Sequence, residues 1–275
     1  HQVGDFHYSI NANASLLRNR LIDLGNASGE TIYENAGASG VGAFVKGQNG
    51  EVWPYFYGMK TDGIFQNWAE VQSYKDRDGN LMQPSAQPGD VRFVDVNGDG
   101  YVNDDDRTMI GKGMPDWTCG LTATADWKGF DASLFFQGSF GNQIFDYCMR
   151  GDIPAQNRPG WVLDRWIGEG TSNTIPRMTN ANPNQNWRSS DIWVKDGSFL
   201  RLKTAQIGYT IPANILRSVF IKALRVYVAG ENLLTFTKYD GFDPEMASDG
   251  YTTIGVDRGI YPQARTITVG ASITF

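Results

Sequence analysis

Histidine and cysteine are scarce in this chain, which has two of each among 275 residues. That leaves little material for a zinc centre or a Cys–His site. One cysteine pair in a chain this long is no disulfide framework, so Cys119 and Cys148 are read as two unpaired thiols. Basic residues are outnumbered, with 24 Lys+Arg against 30 Asp+Glu and a net charge of −6. Phosphate contacts need a basic surface, so no nucleic-acid partner is expected. Long apolar runs are missing too, and no stretch approaches the ~20 residues of a membrane helix. That excludes helical spans but not barrel strands, which need only ~9–11 residues with alternate ones apolar. The opening His1-Gln2-Val3-Gly4-Asp5 has neither the basic start nor the apolar stretch of a signal peptide. The chain is expected to be a mature protein or part of a longer one.

Glycine and aromatic residues are abundant, at 32 Gly, 15 Phe, 12 Tyr and 8 Trp. This composition suits a β-protein with many turns rather than a helical bundle. Two hairpins can be read from the alternation. In the first, Cys119, Leu121, Ala123, Ala125 and Trp127 share a face, Lys128-Gly129 turns, and residues 130–140 return. On that return Ala132, Leu134, Phe136 and Phe140 lie on one face and Asp131, Ser133, Gln137 and Ser139 on the other. The second hairpin runs 198–211, turns through Pro212-Ala213-Asn214 and returns over 223–234. A last strand over 265–275 puts Ile267, Val269, Ala271, Ile273 and Phe275 on one face. Thr266, Thr268, Gly270, Ser272 and Thr274 fill the other. Alternation of this kind fits a half-buried soluble strand or a barrel strand with lipid on one side and a lumen on the other.

Connection lengths separate these readings. The turns at 128–129 and 212 are short, whereas 66–115, 142–196 and 235–264 are long and rich in Asn, Asp, Gly, Pro and Trp. Long loops argue against a compact soluble domain; a membrane barrel has short turns at one rim and long loops at the outer rim. Strand parity places all three long stretches at the same rim. Trp161, Trp166, Trp187 and Trp193 crowd one of them, where they would form a small core of the loop itself or stack on a ligand. Arg201 and Lys203 begin a strand and would face the lumen or its rim.

One motif carries specific chemistry. Residues 95–106, DVNGDGYVNDDD, fit the twelve-position calcium loop. Asp95, Asn97 and Asp99 supply oxygens at positions 1, 3 and 5, and Gly100 makes the sharp turn. Tyr101 offers its carbonyl at position 7, Asn103 binds directly or through water at 9, and Asp106 closes at 12. A hard Ca²⁺ needs several oxygens around one point, and this spacing provides them. Position 12 is Asp rather than the usual Glu, one methylene shorter. Gly89 to Val94 reads as a strand, so the loop lacks the leading helix of an EF-hand and its role is expected to be structural. Asp104-Asp105-Asp106 are adjacent and make no acid–base pair across a substrate. No nucleophile elbow, phosphate loop or zinc signature is present, so no catalytic residue is assigned and no enzyme activity is expected.

Several segments, in order, resemble SusC/RagA-type TonB-linked outer-membrane proteins. They are Gly58-Met59-Lys60-Thr61-Asp62-Gly63, Pro88-Gly89-Asp90 leading into Asp95–Asp106, Leu163-Asp164-Arg165-Trp166 and Ile175-Pro176-Arg177. Asp196-Gly197-Ser198-Phe199-Leu200-Arg201, Ile207-Gly208-Tyr209, Leu224–Leu234, Gly241-Phe242-Asp243-Pro244-Glu245 and Tyr261-Pro262-Gln263-Ala264-Arg265 follow. The resemblance implies an all-β fold, an antiparallel transmembrane barrel of about 22 strands around a plugged lumen, with long extracellular loops. This chain would supply the last seven or eight strands. It implies import of oligosaccharides or peptides across the cell outer membrane, beneath a SusD-like lipoprotein. A TonB complex would act through an N-terminal part, and the plug, TonB box and remaining barrel would lie outside this chain. Two alternatives stay open: a calcium-stabilised secreted carbohydrate-binding β-domain and a glycoside hydrolase.

Overall fold

The computed structural model describes residues 1–33, 41–148, 157, 160–216, 220–246 and 253–275. Parts of the expected loops 142–196 and 235–264 lie outside them. In chain order the strands are β1 (Gln2–Val3), β2 (Phe6–Leu16), β3 (Glu30–Tyr33), β4 (Val45–Gln48), β5 (Tyr55–Gly58) and β6 (Thr61–Ile64). Helix α1 (Trp68–Ser73) precedes β7 (Val91–Phe93), β8 (Thr108–Gly111), β9 (Trp117–Trp127), β10 (Phe130–Phe140), β11 (Gln143–Asp146), β12 (Val194–Asp196) and β13 (Phe199–Ile211). Helix α2 (Ala213–Leu216), β14 (Ala223–Thr237), β15 (Val256–Asp257) and β16 (Thr266–Thr274) complete the order.

The long strands form one antiparallel sheet in the order β1-β2-β9-β10-β13-β14-β16. Both expected hairpins are present. Lys128 (φ +47°) and Gly129 (φ +90°) make the tight turn between β9 and β10, since positive φ at both central residues matches the twist of the flanking strands. The second hairpin turns through α2 rather than a simple bend. Strand β2 was not foreseen. Its apolar positions Phe6, Tyr8, Ile10, Ala12, Ala14 and Leu16 do alternate, but Ala and Asn dilute the signal, and pairing with β9 fixes it. The first long connection is also longer than the expected 66–115 stretch. It leaves the sheet after Leu16, rejoins it at Trp117 and carries β3 to β8. Because neighbours are antiparallel, the connections 17–116, 141–198 and 238–265 all leave the same edge of the sheet.

The sheet is apolar on one face and polar on the other. Paired positions such as Ile10–Ala123–Leu134–Ala205 and Ile207–Val228–Val269 line up across the strands. Ile207 is 57% exposed and Val269 77%. The expected lipid-side series on β16 is thus exposed and not sealed in a core. Two aromatic rows bound this face. Phe6, Trp127, Phe130 and Tyr209 are cross-strand neighbours at the short-turn rim, and Leu16, Trp117 and Phe140 at the other. Trp117 and Trp127 end the same eleven-residue strand. Ten residue steps of ~3.3 Å at a tilt of about 40° span roughly 25 Å across the membrane, the height of a barrel's apolar band between its aromatic girdles.

The opposite face is mainly polar, with Phe135 the apolar exception at mid-strand. Arg225 reaches across the sheet to Asp131, its Nε donating at 2.8 Å, and the pair passes over Gly208. A Cβ there would lie 2.6 Å from Asp131 Oδ1, so a larger residue would push the ion pair aside. Arg201, as expected, lies on this face. Its Nε donates to Thr235 Oγ1 at 2.8 Å and its Nη1 to Glu245 Oε2 at 2.7 Å, while Nη2 engages Asp243. Lys203 donates to Glu245 at 2.8 Å. Asp243 also accepts from the Glu245 and Gln263 N–H groups. Burial works to raise the Asp243 carboxyl, but the guanidinium and the two N–H groups outweigh it and hold the group below the ordinary Asp range. This cluster fastens connection 238–265 to the sheet.

The hydrophobic core lies outside the sheet, in the connections. Phe44, Phe56, Phe145, Trp187, Trp193 and Val256 pack together, drawn from all three. Phe44 stacks on Phe145 with centroids 4.1 Å apart, and Phe145 on Trp193 at 5.6 Å.

Two predictions test this arrangement. Leu121→Arg, at mid-height of the apolar face, should destabilise the folded barrel by about 2–4 kcal/mol, while Thr122→Arg on the polar face should cost little. Denaturant titration of the full-length protein in lipid vesicles measures both. Arg201→Ala leaves the buried Asp243 carboxylate without its cation while Glu245 keeps Lys203, and truncation of a buried pair costs about 3–5 kcal/mol. A group whose pKa is lowered on folding stabilises above its unfolded value and loses that contribution as pH falls. Proteolysis of 238–265 should therefore stay constant from neutral pH to the ordinary Asp range and rise below it, and Arg201→Ala should abolish that protection at neutral pH.

Candidate functional site

The calcium-loop residues come together in one compact turn, shaped by carboxylates that accept backbone N–H groups. Asp95 accepts from Gly98 at 2.7 Å and Gly100 at 2.8 Å. Asp106, fully buried, accepts from Val96 at 2.8 Å, Asn97 at 3.2 Å and Asn103 at 2.9 Å. Asn97 Oδ1 accepts from the Asp99 N–H, and Asp99 Oδ1 from the Tyr101 N–H. Asn103 Oδ1 accepts from the Asp105 N–H at 2.6 Å. Asn103 and Asp106 thereby form a reciprocal cap on a 3-10 turn over Asp104–Asp106. The carboxylates of Asp95, Asp99 and Asp106 do not converge on one point within 4.8 Å. Asp106 Oδ1 is filled by two N–H groups, whereas the Asp95 oxygens, Asp99 Oδ1 and Asp106 Oδ2 each accept one backbone N–H and keep a second lone-pair direction for a hard cation. Val102 packs beneath the turn with Met59, Val91 and Phe93.

A buried polar network joins this region to the tryptophan-rich connection. Asp90 is fully buried and receives Arg177 Nε at 2.7 Å, Arg177 Nη2 at 3.2 Å and Asn186 Nδ2 at 2.9 Å. Asn184 donates to Asn186 Oδ1 at 2.8 Å and to the Val91 carbonyl at 2.9 Å. Gln83 Nε2 donates to Asn184 Oδ1 at 2.9 Å, and Gln83 Oε1 accepts from the Phe93 N–H at 2.8 Å. Gly89, at φ +88°, lies against Trp166, whose Cε3 would be 2.4 Å from an added Cβ. The sequence alone gave Pro88-Gly89-Asp90 and Arg177 no shared role. Their separation along the chain hid a buried ion pair. Trp187 and Trp193 are core residues with Trp161 packed against them, so these three form a core of the loop, whereas Trp166 lies apart against Gly89 and Gln66.

Among the described residues, one group of three ligand-type side chains does meet: Asp146, Cys148 and Asp257. It lies where β11, paired with β12 and β15, joins two connections. Its acids are engaged: Lys195 bridges Asp146 at 2.9 Å and Asp240 at 2.6 Å. Asp257 accepts from the Tyr239 hydroxyl at 2.6 Å and the Gly259 N–H at 2.8 Å. Burial, with Asp257 and Asp146 beside it, pushes the Cys148 thiol up to about 12. A thiol held protonated is a poor metal ligand and nucleophile. Cys148 and Cys119 are both unpaired, as expected.

No family model matches the chain. It is 32% identical to TonB-dependent receptor P3 of Formosa agariphila over 285 residues, covering 98% of this chain and 27% of that protein. It is 24% identical to TonB-dependent receptor SusC of Bacteroides thetaiotaomicron over 273 residues, covering 98% of this chain and 25% of that protein. The chain thus spans about a quarter of the length of the curated relatives it matches. Among solved structures, the RagAB peptide importer in its closed-closed state superposes on the whole chain. The TM-score is 0.72 at 22% identity, and 28% of that chain is covered. The two-faced antiparallel sheet, its aromatic rows and these relatives agree: the chain belongs to the SusC/RagA-type TonB-dependent receptors, and forms a stretch of their barrel wall with the long loops above it.

Proposed function

We propose that this chain is part of an outer-membrane importer that takes up oligosaccharides or peptides, driven by TonB and covered by a SusD-like surface lipoprotein. The observation that carries this reading is the division of apolar surface. The sheet leaves its apolar face to lipid between two aromatic rows, while the other face is polar and suits a lumen. Relatives named as TonB-dependent receptors support the energy source, and the likeness to a peptide importer supports the direction of transport. The three long connections then face the outside, folded around their own core as a platform for a lid. A secreted carbohydrate-binding domain or hydrolase would have to keep the same apolar face in water.

Calcium belongs to the same proposal. The loop Asp95–Asp106 would hold one Ca²⁺ through Asp95, Asn97, Asp99, Asp106 and the Tyr101 carbonyl, with Asn103 direct or through water. Outside the cell calcium is plentiful, so a weak site would be filled. The ion would add rigidity to connection 17–116 and take no part in chemistry.

Deleting the full-length gene should abolish growth on one class of oligosaccharide or peptide, with recovery on reintroduction. The protein should remain in the outer-membrane fraction after alkaline carbonate washing, and recovery in the soluble fraction would refute the reading. For the ion, Asp95→Ala with Asp99→Ala should lose bound calcium and raise cleavage between residues 66 and 115 while the barrel stays folded. Retention of calcium by this double variant would remove the site.

A further inference from the structure

A cavity of about 280 Å³ opens beside the calcium-type loop, between connections 17–116 and 141–198. Its walls include Gln83, Ser85, Tyr101, Asp104, Gln185 and Arg188. Gln83 is committed at both ends of its amide. Two charged groups are not committed. The Arg188 guanidinium lies on the Phe93 ring, 4.3 Å from the centroid, and its buried Nε has no acceptor. Among the described residues its guanidinium makes no hydrogen bond and no ion pair. The charges that face it are Asp104 and Asp106, which favour it, and Arg107, which opposes it. Asp106 spends both oxygens on backbone N–H groups, and Arg107 is turned to the Ala43 and Tyr57 carbonyls. Asp104, exposed on the cavity wall, forms no ion pair with any cation among the described residues.

The molecule itself provides the comparison. Arg177 meets Asp90 through Nε and Nη2, and Arg201 meets Glu245 and Asp243 through Nη1 and Nη2; Arg92 also leaves a buried Nε unmet but pairs with Asp62 through Nη2. A guanidinium presents five N–H donors in a fixed fork that matches a carboxylate, and leaving a buried one unmet is unfavourable. Burial accordingly pushes Arg188 below its ordinary value. Among the described residues nothing accepts from the Arg188 guanidinium, and the cavity that Arg188 lines has room for an acceptor.

We propose that this cavity is a binding subsite for a carboxylate, held in the fork of Arg188. Asp104, on the same cavity wall, takes a hydroxyl or ammonium group of the same ligand. The chemistry fits the free carboxylate of a peptide or the acid group of a uronic sugar. That such a ligand arrives from outside the cell rests on the import reading; the binding does not.

The test is calorimetric titration of the purified full-length protein with four probes: glucuronate, glucose, an acetylated dipeptide acid and its C-terminal amide. At least one acid should bind, and its neutral counterpart at least tenfold more weakly. Arg188→Gln should weaken the acid at least tenfold, about 1.4 kcal/mol, and Arg188→Lys by less. Ser85→Trp, on the exposed rim, should block binding with the guanidinium left in place, which covers the case in which Arg188→Gln misfolds. Equal binding of acid and neutral probes, no binding of either acid, or full binding in both Arg188→Gln and Ser85→Trp would overturn the site. Lost import with acid binding intact would count against the import reading alone. Intact import with no acid binding would count against this subsite alone.

Discussion

Apolar side chains in this chain have two different destinations, and the rest of the structure depends on that division. The wall strands turn Ile207, Val228, Ile267 and Val269 outward, where none of the described segments covers them. The largest aromatic residues of the connections, such as Trp187 and Trp193, are buried. In water the first set would be an aggregation surface. In hydrocarbon it costs nothing, provided every backbone N–H and C=O on the wall is paired. Pairing in a closed barrel meets that requirement, which is why strands β2, β9, β10, β13, β14 and β16 follow one another without a crossover.

The solvent above the wall is different, and so is the structural chemistry. There the connections cannot rely on lipid and must bury a core of their own. They do so by combination, with Phe44 and Phe56 from one connection, Phe145, Trp187 and Trp193 from the second, and Val256 from the third. Ion pairs, two of them with a buried carboxylate and one exposed, fix the register between them. Asp90 with Arg177 joins the first two connections, Lys195 with Asp240 the second and third, and Arg201 with Asp243 ties the third to the wall. Such pairs contribute little net stability compared with apolar replacements, but each tolerates few alternative arrangements. They hold long connections in one conformation relative to the wall.

Against that pattern, a sheltered arginine without an acceptor stands out. Arg188 adjoins the same network, yet it lines a cavity and its guanidinium has no acceptor among the described residues. The loops here therefore combine buried ion pairs and amide contacts with one cavity-lining cation that has no acceptor among the described residues.

The sequence by itself determined the wall. Period-two alternation in 119–127, 130–140 and 267–275 is a local property that survives in any surroundings, and connection length fixed which rim is long. The calcium-type spacing of Asp95, Asn97, Asp99 and Asp106 was legible for the same reason, because all its members lie within one turn of chain. Strand β2 was only half legible, since alanine and asparagine carry too little hydropathy contrast until β9 pairs with them. What only the tertiary structure decided is the meeting of distant residues. Nothing local in Asp90 points to Arg177, in Arg201 to Asp243, or in Phe44 to Phe145. Those contacts depend on chain closure across whole connections, where the burial of a charge or a ring is set by what folds over it. Arg188 belongs to the same class: its sequence neighbours mark it as an ordinary loop arginine, and only the fold shows that it lines a cavity without an acceptor among the described residues.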